Sequence, residues 1–301
     1  MSQRCKNAGW AAGLVAAVCF AVAGTISADA RADGADETPA ALMYVPALHV
    51  FRRHSGESDP LFEFYGEVLG FESMPYIGAV GRLQTGASEL KLQRRPENQP
   101  RPAGGPADAI GLRIVGLYFA DEAALAARFE QHGLPAPEFR SVPGSPTRVA
   151  LVNDPDGEAV ELIVVPNASA ETLAQIELGL TVADVERSRA FYRDFVGLEE
   201  LSPVEDPLLG TTKYRFRAGS TLIALRSFGR ELPADTASGL IQYVVTDIDR
   251  VEALAKERGV TIDRPINAPV GARLRTLWIS DPDGITIYFT ETPESRGAAA
   301  R

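Results

Sequence analysis

Three ionisable side chains interrupt otherwise apolar, strand-like runs: His49 in Leu48-His49-Val50, Glu161 in Val160-Glu161-Leu162 and Glu177 in Ile176-Glu177-Leu178. Successive side chains of a strand point to opposite faces, so each is set against its apolar neighbours. An imidazole and two carboxylates on such faces can ligate a cation or move a proton, and Glu161 or Glu177 is the candidate base. The other two histidines read differently. His54 falls in the polar run Arg52-Arg53-His54-Ser55 and is expected to be a solvated loop residue. His132 precedes Gly133 at a predicted helix end, where a cation suits the helix dipole. Both cysteines, Cys5 and Cys19, lie in the first 30 residues. A chain cleaved after them has no thiolate, no disulfide and no Cys-based metal site. No phosphate-cradling glycine loop or Gly-x-Ser-x-Gly elbow is present.

The elements that must position these residues repeat. Phe64-Tyr65-Gly66-Glu67-Val68-Leu69-Gly70-Phe71 returns as Phe191-Tyr192-Arg193-Asp194-Phe195-Val196-Gly197-Leu198, and Asp154-Pro155-Asp156-Gly157 returns as Asp281-Pro282-Asp283-Gly284. Tyr65 to Tyr192 and Asp154 to Asp281 both span 127 residues, so two unrelated motifs share one period. That indicates a duplicated domain and is too long for a solenoid repeat. Each copy opens on an alternating strand and continues into a helix carrying the Phe-Tyr pair, over 59–68 and 185–195, with Gly70 and Gly197 as C-terminal caps. A hairpin with Gly86 or Gly219 in its turn follows. After a Pro/Gly-rich crossover come a strand, a helix ending near Gly133 or Gly259, and a tight Asp-Pro-Asp-Gly turn before the last strand, 159–164 or 286–290. The fold class is therefore α+β, built as four tandem strand-helix-strand modules. Periodicity alone leaves a generic α+β sandwich open.

Composition bounds the rest. The 301 residues are 45% apolar and 23% charged, with a formal charge of −10. Such an acidic chain is repelled by phosphate backbones and anionic lipid, so nucleic acid is not an expected partner. Residues 1–30 read as a secretory signal: Arg4 and Lys6, then an apolar Ala/Val-rich run, then Ala28-Asp29-Ala30 at the cleavage position. The mature protein is expected to be periplasmic or secreted, with no stable membrane span after cleavage. The predicted division is a flexible lead-in over 31–44, domain one over 45–166, a linker over 167–174, domain two over 175–292 and a disordered tail over 293–301.

The opening strand, the Phe-Tyr helix with its Val/Leu-Gly step, and Asp-Pro-Asp-Gly before a final strand together resemble the vicinal oxygen chelate superfamily of glyoxalases, bleomycin-resistance proteins and extradiol dioxygenases. The resemblance covers 47 to about 291. It implies two half-open, glyoxalase-like barrels, each with a concave face that can hold one divalent metal (Fe, Mn, Ni or Zn) acting as Lewis acid. The family's ligand positions fall on His49, Lys91, Ile114 and Glu161 in copy one and on Glu177, Ala224, Leu240 and Tyr288 in copy two. Paired across copies, one site would hold His49, Lys91, Leu240 and Tyr288, and the other Glu161, Glu177, Ala224 and Ile114. No pairing gives the three good ligands that a catalytic site needs; only a rearranged site collecting His49, Glu161 and Glu177 would. The resemblance thus implies an exported protein binding a small organic molecule beside a degenerate metal site, with Lys91 and Tyr288 in the ligand pocket. The alternative it implies is a metal-dependent lyase, isomerase or ring-cleaving dioxygenase using His49, Glu161 and Glu177.

Overall fold

The computed structural model describes residues 37–99, 104–235, 238–269, 271 and 273–299. The predicted signal segment lies outside the described residues. Among the described residues no helix is long and apolar enough to cross a membrane.

The four predicted modules are present. Module one carries β1 (His49–His54), β2 (Glu72–Ile77), β3 (Val80–Thr85) and β4 (Ser88–Arg94), with α1 (Asp59–Phe62) running into a π-helical turn, Glu63–Val68. Module two carries β5 (Gly111–Phe119), α2 (Glu122–Gln131), β6 (Arg140–Ser141), β7 (Arg148–Asn153) and β8 (Ala159–Val164). After a short α3 (Ala170–Leu173), module three carries β9 (Ile176–Thr181), α4 (Val185–Ala190) with its π turn Phe191–Phe195, β10 (Glu199–Glu200), β11 (Val204–Asp206), β12 (Thr211–Ala218) and β13 (Thr221–Arg226). Module four carries β14 (Gly239–Val244), α5 (Ile248–Glu257), β15 (Ile262–Asn267), β16 (Arg275–Ser280) and β17 (Thr286–Glu291).

The modules pair across the two sequence copies. One sheet runs β15-β16-β17-β14-β1-β4-β3-β2 and joins modules one and four; the other runs β10-β12-β13-β9-β5-β8-β7-β6 and joins modules two and three. The seams are antiparallel, with His49 opposite Gln242 and Glu177 opposite Gly116. Each sheet has one apolar face, Val50, Leu90, Ile241 and Phe289 in the first and Val115, Leu162, Leu178 and Ile223 in the second, buried in a common core. Leu125 and Phe129 of α2 and Val251 and Leu254 of α5 join that core. Strict alternation leaves the polar residues of the same strands on the opposite, concave face.

The shared 127-residue period has a physical cause. Tyr65 Oη donates to Asp154 Oδ2 at 2.8 Å, and Tyr192 Oη donates to Asp281 Oδ2 at 3.0 Å. The same aspartates accept turn amides on Oδ1, from Asp156 and Glu158 in one copy and from Asp283 and Ile285 in the other. The helix motif and the turn motif are therefore two halves of one buried hydrogen-bonded joint, used twice. The hairpin turns are equally matched. Gly86 and Gly219 have φ of 61° and 60°, and a Cβ there would sit 2.2 Å from Ala174 O and 1.7 Å from Pro46 O. Each hairpin tip thus packs on the residues that enter the other copy's first strand, a contact only glycine permits.

Three expectations are corrected. The lead-in is structured over Pro39–Leu42, where Ala40 N donates to Val196 O and Tyr44 N to Val244 O. The tail forms a helix, α6 (Pro293–Ala299), whose entry is fixed by mutual Thr292–Ser295 hydrogen bonds. His54 is not solvated: it ends β1, is buried, and its Nδ1 lies 3.0 Å from Gly56 O.

Candidate functional site

On the concave face of the second sheet, Glu161 from β8 and Glu177 from β9 converge with two cations that sequence reading missed, Lys213 from β12 and Arg226 from β13. Lys213 Nζ is hydrogen-bonded to Glu161 Oε1 and lies 3.2 Å from Glu177 Oε1. Arg226 Nη2 lies 3.0 Å from Glu161 Oε2 and 3.7 Å from Glu177 Oε1, and its Nε donates to Asp206 Oδ2 at 2.7 Å. All five side chains are at most 7% exposed. Two glycines make the room. A Cβ on Gly179 would stand 2.7 Å from Arg226 Nη1, and one on Gly116 would stand 3.0 Å from Glu177 Cβ.

Three carboxyls face two cations in this cluster, and the excess falls on Glu161. Burial raises its pKa despite Lys213 and Arg226. For Glu177, burial is outweighed by Lys213, Arg226 and Arg215, which hold its pKa down. The two carboxyls titrate as a pair in which Glu161 is the one that takes the proton. Lys213 stays charged because the two glutamates overcome the cost of its burial. A cavity of about 710 Å³ opens onto the cluster, walled by Tyr118, Thr147, Val149, Ile163, Pro203 and Arg215.

The first sheet arranges its polar face differently. His49 Nδ1 accepts the backbone N–H of Glu89 at 3.0 Å. Burial, then Lys91, lowers its pKa to about 4. A neutral ring that accepts at Nδ1 carries its proton on Nε2, so His49 offers a donor to the concave face rather than a lone pair. Lys91 Nζ donates to Gln242 Oε1 at 2.6 Å, and Gln242 Nε2 donates to Thr290 Oγ1 at 2.8 Å. Burial lowers the pKa of Lys91. Tyr288 stands beside Phe51 and Trp278, with ring centroids 6.3 and 4.6 Å apart.

The predicted residues are therefore divided between the sheets. Glu161 and Glu177 meet; His49, Lys91 and Tyr288 lie on the other sheet, as the cross-copy pairing implied. Opposite His49 and Glu177 stand Gln242 and Gly116, two residues along from the expected Leu240 and Ile114 on the same faces. Gln242 is signalled by a lone amide between Ile241 and Tyr243, and Arg226 by a charge closing the apolar run 222–225. A divalent ion does not fit either face as it stands. The two glutamates are engaged by an ammonium and a guanidinium, Ala224 and Gly116 supply no donor, and the His49 lone pair is taken. Glu63, Glu67 and His132 do bring ligand atoms within 4.8 Å of one another, but on the helices outside the sheets and with both glutamates exposed.

Comparison with known proteins agrees with this architecture. Residues 172–289 match the sequence profile of the Glyoxalase/Bleomycin resistance protein/Dioxygenase superfamily. Among solved structures, glyoxalase I from Zea mays superposes with a TM-score of 0.59 at 19% identity, covering 81% of this chain and 92% of its own. A candidate dioxygenase from Bacillus subtilis gives 0.56 at 15% identity, covering 81% and 84%. No curated protein matches the chain. The chain has the fold of the vicinal oxygen chelate superfamily.

Proposed function

We propose that the protein binds a small organic molecule in the 710 Å³ cavity on the concave face of the second sheet, without a divalent metal. The observation that carries this reading is the position of Lys213. Its ammonium lies between the two carboxylates on which a metal would depend. The superfamily fold hosts several chemistries, so the site rather than the fold must decide. A cavity of this size, part polar and part apolar, suits a molecule of a few rings or a short functionalised chain. The metal-dependent lyase, isomerase or dioxygenase reading requires His49, Glu161 and Glu177 around one ion, and His49 is on the other sheet.

A thermal-shift screen of a small-molecule library in EDTA tests the reading. Hits should stabilise the full chain without added metal, and Thr147→Trp, which fills the cavity from its wall, should abolish the shift. Silence across the library, together with turnover that requires a divalent ion, would overturn it.

A further inference from the structure

The concave face of the first sheet combines three features that the cavity of the second sheet does not use. The first is an aromatic strip. Phe51, Tyr288 and Trp278 stand side by side on β1, β17 and β16, all partly exposed. The second is a pair of arginines that flank the strip, Arg53 on the β1 side and Arg264 on the β15 side, with no carboxylate counter-ion among the described residues. Arg264 lies over the Trp278 ring, its guanidinium carbon 4.9 Å from the ring centre. Arg53, two residues beyond Phe51 and so on the same face, donates to the neutral Gln99 Oε1 at 3.4 Å. Among the described residues no carboxylate pairs with either. Their charges repel: burial and then the neighbouring Arg95 and Arg264 depress the pKa of Arg53. Two cations with no carboxylate partner among the described residues make a local positive patch in a chain of formal charge −10, and a bound anion would complement it. The third feature is a set of polar groups interleaved with the strip: the His49 Nε2–H, and the Lys91–Gln242–Thr290 chain, in which Gln242 pairs in register with Tyr288 and the Lys91 ammonium lies 5.2 Å from the centre of the Phe51 ring.

We infer that this face is a second binding site, separate from the proposed cavity, and that it takes a planar aromatic carboxylate. The ring would lie along Trp278, Tyr288 and Phe51, and the carboxylate would be held between Arg53 and Arg264. Planarity is required because the strip is a surface of ring faces and edges rather than a deep pocket. Negative charge is required because guanidinium groups pair bidentately with carboxylates. A neutral aromatic would leave both arginines as they are, and an aliphatic acid would forgo the rings.

Trp278 reports on the site directly. The chain has two tryptophans, so the full chain carrying Trp10→Phe fluoresces from Trp278 alone. Titration with 4-nitrobenzoate should quench it saturably. The neutral 4-nitrobenzyl alcohol and the non-planar cyclohexanecarboxylate, the latter as a competitor, should each bind roughly tenfold more weakly or worse. Arg264→Gln, at an exposed position where folding is not at risk, should weaken 4-nitrobenzoate about tenfold, and Arg53→Gln should do the same. Lys213→Met should leave this binding unchanged, which separates the inference from the cavity proposal. Non-saturable quenching, equal affinity for the acid and the alcohol, or an Arg264→Gln variant with undiminished affinity would overturn it.

Discussion

Lys213→Met removes the ammonium between Glu161 and Glu177 and keeps most of the volume of its stem. Lys213 is 7% exposed and the two glutamates 1% and 3%, so water from the adjoining cavity replaces the lost partner only in part. Arg226 remains near both carboxylates, at 3.0 and 3.7 Å, but it is already shared with Asp206. Stripping one partner from a buried ion pair costs about 3–5 kcal/mol, and the remaining guanidinium places this case at the low end, about 3 kcal/mol. For a chain of this size that lowers the Tm by roughly 6–12 °C. The cost depends on pH in a defined sense. Loss of the ammonium raises the folded-state pKa of Glu161 further above its unfolded value. That contribution is present at low pH and is lost as pH rises through the folded pKa, so the deficit should be larger at pH 8 than at pH 5. Glu161→Gln added to Lys213→Met should recover about half of the loss, because the excess of carboxylates over cations returns to one, as in the parent. Urea denaturation of the four proteins of this cycle, at both pH values, is the assay. A Lys213→Met protein as stable as the parent, or a double variant whose loss is simply additive, would show that the ammonium does not hold the two carboxylates together.

Other expectations follow from the same structure. His49, with its pKa lowered to about 4, adds stability that is full above its unfolded pKa near 6.5 and is lost as pH falls toward 4. The loss is about 3 kcal/mol, and the difference in unfolding free energy between parent and His49→Gln across that window measures it. Tyr65→Phe and Tyr192→Phe each break a buried hydrogen bond to a turn aspartate and should cost about 2 kcal/mol, additively, by chemical denaturation. Gly179→Ala drives a Cβ against Arg226 and Ile114, and should destabilise the chain by at least about 1 kcal/mol, less so where Arg226→Met has already made room.

Much of the fold was legible in the sequence because the repeat carries its own geometry. The Phe-Tyr helices, the glycine-capped ends and the final strand 159–164 lie where alternation and turn chemistry place them. How the modules pair was not legible, since His49 and Glu177 alternate identically whichever partner strand they meet. The pairing depends on long-range contacts such as Gly219 against Pro46 and Ser88 against Thr221. The site was half legible. A charge inside an apolar strand pointed to Glu161 and Glu177. Lys213 was hidden because β12 (Thr211–Ala218) alternates Lys213, Arg215 and Arg217, the pattern of an ordinary solvated strand face. Only the fold shows that the first of these cations is buried. The register of Gln242 opposite His49 was likewise beyond reach, because a shift of two residues keeps the same face and leaves the hydrophobic pattern intact.

In the second sheet an internal ammonium, Lys213 Nζ, stands between the two carboxylates on which a divalent ion would depend. Elemental analysis of the purified full chain and of Lys213→Met, each expressed in mixed divalent metals and dialysed extensively, measures whether those carboxylates hold an ion. No stoichiometric metal is expected in the parent or in Lys213→Met, where Arg226 still engages both carboxylates and Ala224 and Gly116 offer no third ligand. One equivalent of metal retained by the parent, and lost in Glu161→Gln, would contradict that expectation.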